Sequence, residues 1–340
     1  MKKTELRIPV KNVLAIRGMA QVLTVSVGLV ILCIIFGVLN PNFFSSENSL
    51  NLLRQIAPIL LIGISQAYVL ITGNIDLSIG SVVGMSTMIA STLMSKGGVN
   101  PWLAVLITMA CCLSIGAANG VLVAKCKLPP FIATLGTMTI ARGIAQLANN
   151  NYNTDSIGKI MGKEAVQGFR DFFYYGSFLN VYNTIWIALV LWLIFNFLIG
   201  STRTGRHIYA IGSNVEAARL SGVNVTATTV KAYLASAFCA CVVGFILCAQ
   251  AGMGAMDAGN MYELYAVAAA VIGGVSTLGG QGLLIGTVIG ASIWGVLQNG
   301  LQFANVAVAW RNIIIGSIVI VSVLLDVIVR TGAKGKTKKV

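Results

Sequence analysis

The stretch MAQVLTVSVGLVILCIIFGVL, residues 19–39, contains no charged side chain. A helix crosses the roughly 30 Å hydrocarbon layer of a membrane in about 20 residues, and this stretch has that length. It is too long for the apolar part of a cleavable signal peptide, and no A-x-A-like cleavage site follows it. We therefore predict that residues 19–39 form a retained membrane span.

The composition of the whole chain also indicates a membrane protein. Of 340 residues, 56% are hydrophobic and 10% are charged, whereas a soluble domain has about 25% charged residues. The mean hydropathy is +0.85. Lys and Arg number 23 against 10 Asp and Glu, but these basic residues sit at the termini and in a few loops. A nucleic-acid partner is not expected, because such proteins carry their basic charge on a folded polar surface.

The same length rule predicts an all-α polytopic membrane protein with ten transmembrane helices, some of them short or broken. The predicted spans lie near 19–39, 54–72, 78–95, 102–124, 131–149, 180–200, 231–251, 263–276, 283–299 and 308–328. They form one transmembrane domain, 19–329, between a basic segment at 1–18 and a basic tail at 330–340. The connection at 212–223 is predicted to contain a short cytoplasmic helix.

Basic residues predict the side of the membrane that each connection faces, because they are enriched on the cytoplasmic side. Five precede the first predicted span and five follow the last, so both termini are predicted to be cytoplasmic. In this topology the inner segments hold 16 of the 23 basic residues, and the outer loops hold five. The longest outer loop is 150–179, and no separate soluble domain fits in it.

A short polar stretch, SNVEAARLSG at 213–222, lies between two apolar stretches. Ser213 with Glu216 three residues later predicts a capping box at a helix start, and Gly222 predicts a left-handed stop at its end. The alternative is an amphipathic connector on the membrane surface. Val215 and Leu220 are the only large apolar residues, which favours a shallow groove on a protein. We interpret the stretch as a docking helix.

Two glycine-rich segments interrupt the predicted spans, GNIDLSIG at 73–80 and GGVSTLGGQG at 273–282. In a transporter, such interruptions often mark half-helices around a central pathway. Each segment leads into small-xxx-small spacing, which lets two helix backbones approach closely. The glycines predicted to pack helices in this way are Gly80, Gly84, Gly282, Gly286 and Gly290. The two segments are faintly alike in sequence, which leaves open whether the chain contains an internal repeat.

Asp76 is the only acidic residue between the second and third predicted spans. An ionisable group at membrane depth is by default a functional candidate, yet an Asp at a helix start more commonly caps the helix. The sequence leaves both roles open and favours the cap, and Glu263 has the same ambiguity. The residues predicted to line a translocation pathway are Asn74, Asp76, Ser78, Thr134, Thr137 and Glu263.

No catalytic or metal site is predicted. His207 is the sole histidine, which excludes a Ser-His-Asp triad elsewhere and His-based metal sites. Gly335-Lys336-Thr337 looks like the end of a phosphate-binding loop, but Arg330 stands where that motif needs its first glycine. No C-x-x-C pair occurs, and the seven cysteines are expected to be free thiols. We expect no ATP-hydrolysing site and no cofactor on this chain.

Several stretches, in order along nearly the whole chain, resemble one family, the permease subunits of bacterial ATP-binding-cassette importers for monosaccharides such as ribose, galactose, xylose and arabinose. The matching stretches are ITGNIDLSIGS (71–81), PPFIATLGTMTIARG (129–143), GRHIYAIGSNVEAARLSGVNV (205–225), YELYAVAAAVIGGVSTLGGQG (262–282) and LLD (324–326). The family usually has Gly at the position of Asn74 and Asp at the position of Tyr265. The length of 150–179 is closer to the ribose-like pattern.

The resemblance implies a multi-pass permease in the lipid of the bacterial inner membrane, paired with a second permease chain, most simply a copy of itself. A periplasmic sugar-binding protein would lie above it, and two cytoplasmic ATPases carrying ATP–Mg would lie below it. It also implies that the ATPase holds a coupling helix. The residues so assigned are Ser213, Asn214, Glu216, Ala217, Ala218, Arg219, Leu220 and Gly222.

Two other classes of protein would each need a chemical feature that the sequence supplies poorly or not at all. An ion-coupled secondary transporter of a small polar solute would need a buried carboxylate, and Asp76 is its one candidate. A membrane enzyme would need a nucleophile, a metal or an acid–base pair, and no convincing constellation is present.

The charge distribution yields a topology prediction. Single cysteines placed in a cysteine-free background at 150–179 should react with a membrane-impermeant thiol reagent added outside the cell. A cysteine at 213–222 should react only after the cells are opened, because the basic residues place that segment inside. Labelling of 213–222 in intact cells, or protection of 150–179, would contradict this orientation.

Overall fold

The computed structural model describes residues 19–307, 309–311, 313, 314, 316–318, 320, 321 and 324. The predicted terminal segments 1–18 and 330–340 lie outside the described residues, as do ten of the 21 residues of the predicted span 308–328. Within the described residues, the only β structure is a two-stranded antiparallel hairpin in which Ser177 pairs with Tyr182.

Helices follow one another along the chain with mostly short connections. They are α1 (Met19–Leu39), α2 (Ser46–Ile71), α3 (Ile79–Ser95), α4 (Pro101–Ala124), α5 (Pro130–Ala148), α6 (Lys163–Arg170), α7 (Asn183–Ser201), α8 (Arg203–Ser213), α9 (Val215–Leu220), α10 (Val225–Ala251), α11 (Tyr262–Ile272) and α12 (Leu284–Phe303). A 3-10 turn at Pro41–Phe44 precedes α2, a π-helical turn at Asp171–Tyr175 follows α6, and the hairpin strands are β1 (Ser177–Phe178) and β2 (Val181–Tyr182).

Seven of the described helices are long and apolar enough to cross a membrane, namely α1, α2, α4, α5, α7, α10 and α12. Two shorter apolar helices, α3 and α11, lie among them. Most residues of α2, α10 and α12 are buried, whereas α1, α4, α5 and α7 turn rows of Leu, Ile, Val and Phe outward. The fold is therefore an all-α polytopic membrane bundle with α2, α3, α10 and α12 at its centre.

The start of α2 differs from the prediction, which placed it at 54. The helix begins at Ser46, because the Ser45 side chain accepts a hydrogen bond from the Asn48 N–H at 3.2 Å. Arg54 consequently lies inside the helix and not in an outer loop. Its guanidinium stacks 3.3 Å from the ring centroid of Tyr174 and donates to the Tyr174 carbonyl at 2.7 Å. These contacts explain how a charge is kept in this helix.

The two glycine-rich segments begin with the same backbone geometry. Gly73 and Gly274 both have positive φ, +80° and +88°. Asn74 N–H donates to Val69 O at 3.2 Å, and Val275 makes the equivalent bond at 3.0 Å. This is the Schellman stop of a helix, in which glycine avoids the strain of the left-handed conformation. The faint likeness in sequence is thus a shared way of ending α2 and α11.

An irregular segment at 252–261 passes down the side of α3 before α11 begins. A Cβ on Gly84 would lie 2.7 Å from Ala258 O, and a Cβ on Gly80 would collide with the Glu263 carboxylate. Both glycines of α3 therefore permit a close approach. Because of this path, the first turn of α11 lies beside the first turn of α3.

The glycines of α12 permit a second close approach, against the end of α11. A Cβ on Gly290 would lie 2.8 Å from Gly273 N, and a Cβ on Gly286 would lie 2.9 Å from the Gly273 carbonyl carbon. Gly282 was predicted to belong to the same row, but it lies before α12. It has φ +150°, and a Cβ there would lie 3.0 Å from Val275 Cα, so it shapes the loop.

The packing of α12 on α11 yields a second prediction. Gly286→Leu or Gly290→Leu should lower the yield of folded protein and the unfolding temperature in detergent, because the new side chain meets backbone. Overpacking costs about 1–3 kcal/mol, and occasionally more. The control is Ile285→Leu on the same helix, where the side chain is 43% exposed. Glycine variants as stable as this control would show that the two backbones are not in contact.

Candidate functional site

Asp76 lies in the unwound segment between α2 and α3, and it is buried. Its Oδ1 accepts hydrogen bonds from Ser78 N–H at 2.9 Å and from Ser78 Oγ at 2.6 Å. Its Oδ2 accepts from Ser236 Oγ of α10 at 2.6 Å. A buried carboxylate is costly unless its oxygens are hydrogen-bonded. Three donors meet that need, and no ion pair with Asp76 occurs within the described part of the chain.

The hydrogen bonds continue on both sides of this carboxylate. On one side, Asn119 Nδ2 of α4 donates to Ser78 Oγ at 2.9 Å, and Thr137 Oγ1 of α5 donates to Asn119 Oδ1 at 2.5 Å. On the other side, Ser65 Oγ of α2 donates to Ser236 O at 2.7 Å. We call these residues the Asp76 cluster; it joins α2, α4, α5 and α10 to the segment that starts α3.

Of the residues predicted to line a pathway, Asp76, Ser78 and Thr137 are brought together in this cluster. Thr134 is buried next to it, and its hydroxyl donates to the Pro130 carbonyl at 2.8 Å. Ser65, Asn119 and Ser236 were missed. The available signal was a polar residue within a largely apolar span.

Asn74 and Glu263 lie apart from the cluster. Asn74 Nδ2 donates to Thr72 Oγ1 at 2.8 Å, and the residue lines a cleft of about 600 Å³ beside α9. Glu263 is partly buried in the first turn of α11. The segment before it is held by Arg142 of α5, whose Nη1 donates to the carbonyls of Met256 and Ala258 at 3.1 and 3.0 Å.

The predicted docking helix is present as α9, but its predicted capping box is wrong. α8 continues through Ser213, whose hydroxyl donates back to Tyr209 O at 2.9 Å. The cap is Asn214, which has extended backbone and accepts from the Ala217 N–H at 2.9 Å. Glu216 instead forms an exposed ion pair with Arg219 at 2.9 Å.

The predicted stop at Gly222 is confirmed. Gly222 has φ +82°, its N–H donates to Arg219 O at 3.0 Å, and Val223 N–H donates to Ala218 O at 3.0 Å. The helix therefore ends in a Schellman motif. Ala218 is buried against the bundle, whereas Leu220 is 88% exposed. An apolar tip of this kind, held on a short capped helix, is suited to contact with another protein.

The last turns of α8, directly before α9, contact both glycine-rich segments. Gly280 N–H donates to Ile71 O at 2.9 Å, and a Cβ on Gly279 would lie 2.9 Å from Gly212 O. Tyr209 of α8 donates its hydroxyl to Gly282 O at 2.7 Å. Burial raises the pKa of the Tyr209 phenol, so this donor keeps its proton near neutral pH. Movement of α8 and α9 would therefore reach the ends of α2 and α11 directly.

The chain resembles known transport proteins over most of its length. Residues 48–323 match the family described as "Branched-chain amino acid transport system / permease component". The ribose import permease protein of Bacillus subtilis (strain 168) is 36% identical over 309 residues, which are 91% of this chain and 94% of that protein. No solved structure matches the chain.

Relatives named for other sugars are similarly close. The galactose/methyl galactoside import permease protein of Haemophilus influenzae is 35% identical over 321 residues, covering 87% of this chain and 92% of that protein. The D-allose transport system permease protein of Escherichia coli (strain K12) is 35% identical over 303 residues, covering 88% and 89%.

The Asp76 cluster yields a third prediction. Ser236→Ala removes one of the three donors to the buried carboxylate, and this should cost about 1–3 kcal/mol. The measurement is the unfolding temperature of the purified protein in detergent. The matched control is Ser292→Ala, whose hydroxyl bonds only to Val288 O of its own helix at 2.8 Å. Equal unfolding temperatures in the two variants would contradict a stabilising role for the cluster.

Proposed function

Because the chain belongs to the permease family of ATP-binding-cassette importers for monosaccharides, we propose that it carries one monosaccharide across the bacterial inner membrane, in which it is a multi-pass protein. A periplasmic binding protein delivers the sugar, and cytoplasmic ATPase subunits supply the energy. The chain itself is the transport subunit and catalyses no reaction. ATP–Mg binds to the partner ATPases.

The observation that carries this proposal is the junction between α8, α9 and the two glycine-rich segments. In the proposed mechanism, the ATPase grips α9 through Leu220 and neighbouring residues. Closure of the ATPases on ATP moves α9, and Gly212 and Tyr209 pass this movement to the ends of α2 and α11. Since α2 lies at the centre of the bundle, the helices rock between outward-open and inward-open arrangements.

Within this mechanism, the predicted pathway residues take two different roles. Asn74 lies at the inner opening, and Glu263 lies where α3 and α11 begin. The buried residues Asp76, Ser78 and Thr137, with Thr134 beside them, hold the helices around the pathway. We propose ribose as the first sugar to test, since a relative named for ribose import is 36% identical. A second copy of this chain is proposed to form the other half of the passage.

The same geometry bears on the alternative of ion coupling, which relied on Asp76. A coupling carboxylate has to exchange its ion with a water-filled path. Both oxygens of Asp76 are instead occupied by serine donors. We therefore do not propose ion coupling for this chain.

A fourth prediction tests the coupling helix. The complex of this chain with its ATPase and binding protein is reconstituted in vesicles, and ATP-dependent uptake of D-ribose is measured beside ATPase co-purification. Asn214→Ala removes the cap of α9, worth about 1 kcal/mol. Gly222→Val places a β-branched residue at positive φ. Both variants should lower co-purification and uptake.

The matched control for this experiment is Gly200→Val, at a glycine of α7 that has open space around it and no positive φ. It should behave as the parent protein does. Normal uptake and normal ATPase co-purification in both α9 variants would contradict the docking role. Uptake by the parent that needs no ATP and stops when a proton ionophore is added would contradict the proposed class of transporter.

A further inference from the structure

A second cavity lies at the far end of the bundle from α9, between the first turns of α2 and the last turns of α12. Its volume is about 550 Å³, within the range of about 300–1,000 Å³ that is usual for small-molecule sites. All but one of its lining side chains are polar. They are Asn42, Ser45, Glu47, Asn48, Asn51, Gln55, Asn299, Gln302 and Phe303. The topology predicted from the basic residues places this cavity on the outer side.

The two walls of the cavity are fixed to each other. Asn48 of α2 and Asn299 of α12 are both buried, and their carboxamides donate to each other, each at 3.2 Å. Asn48 Nδ2 also donates to Phe43 O at 2.8 Å. Because amide groups hydrogen-bonded in this way keep their orientation, the cavity is formed before anything enters it.

Other polar groups of the walls are left free. Asn48, Asn51 and Gln55 share one face of α2, since they are spaced by three and four residues. The side chains of Asn51, Gln55 and Gln302 make no hydrogen bond to the described residues, and Gln55 and Gln302 are exposed. Amide groups on a membrane-spanning helix are unfavourable against lipid. These amides therefore face water or a polar ligand.

The lining chemistry defines the class of ligand. A carboxamide both donates and accepts hydrogen bonds, and so does each hydroxyl of a sugar. Glu47 adds acceptor oxygens, and Phe303 adds one apolar surface. The lining contains no Lys, Arg or His, so it offers nothing to an anion or a phosphate headgroup. A single carboxylate is also a poor site for a divalent cation, which requires several oxygen ligands.

We infer that this cavity is an entry site for an uncharged monosaccharide, occupied after the sugar leaves the binding protein and before it enters the passage. The inference rests on the proposed function and assigns it a place on this chain. The site is open and has few apolar contacts, so it holds the sugar weakly. Weak binding suits a carrier, because a tightly held sugar would not move on.

The test uses the assembled permease and ATPase complex in lipid nanodiscs, without the binding protein. Binding of D-ribose, D-allose, D-fructose and D-galactose is measured separately by saturation-transfer NMR. The variant is Asn51→Leu with Gln55→Leu, two side chains that have no partner to lose. We expect at least one sugar to bind the parent and to bind the double variant about tenfold more weakly, as expected for lost hydrogen bonds. ATP-dependent uptake, measured separately in vesicles with the binding protein present, should fall in parallel.

The matched control is Gln250→Leu, an exposed amide at the end of α10 that does not line the cavity. It should bind sugar as the parent does. Absence of sugar binding to the parent, or equal binding to the parent and the double variant, would overturn the inference. Intact sugar binding with lost association of the binding protein would overturn it in favour of a protein-docking surface. A parent complex that imports none of the four sugars would instead refute the proposed function.

Discussion

Backbone groups that are freed from helices inside a membrane need hydrogen-bond partners within the protein, because the hydrocarbon layer supplies none. Two irregular stretches that pack against α3 contain such freed groups, the segment before α3 and the segment at 252–261 before α11. Asp76 meets this need in the first stretch by accepting from Ser78 N–H. Arg142 meets it in the second by donating to the carbonyls of Met256 and Ala258. The rest of the bundle is arranged around these two solutions.

Each solution also ties distant parts of the sequence together. Asp76 accepts a hydrogen bond from Ser236 of α10. Arg142 connects α5 to the segment that leads into α11. The two short helices consequently start side by side, with Gly80 against Glu263. Short helices held at their starts and joined by glycine-rich segments are parts that can shift as units. The proposed mechanism of alternating access requires parts of this kind.

The two ends of the bundle differ in the polar groups that they expose. At one end, α9 presents the exposed Leu220 on a capped helix, the surface that we propose contacts the ATPase. At the other end, the amides of α2 and α12 surround a cavity without basic groups. Between the two ends, the polar groups of the Asp76 cluster form hydrogen bonds with one another. The centre of the molecule therefore serves to hold helices, and our two proposals place recognition at its ends.

The sequence by itself determined the membrane class, the position of most spans, and the presence of a short helix before Gly222 with its stop at that glycine, because uninterrupted apolar length and glycine's left-handed geometry are local properties. It did not determine the cap of that helix, since Ser213 could cap only if α8 ended before it. Nor did it identify Ser236 and Asn119 as partners of Asp76, or the pairing of Asn48 with Asn299. Those depend on which helices become neighbours. That choice is made by packing between segments far apart in the chain, and only the tertiary structure records it.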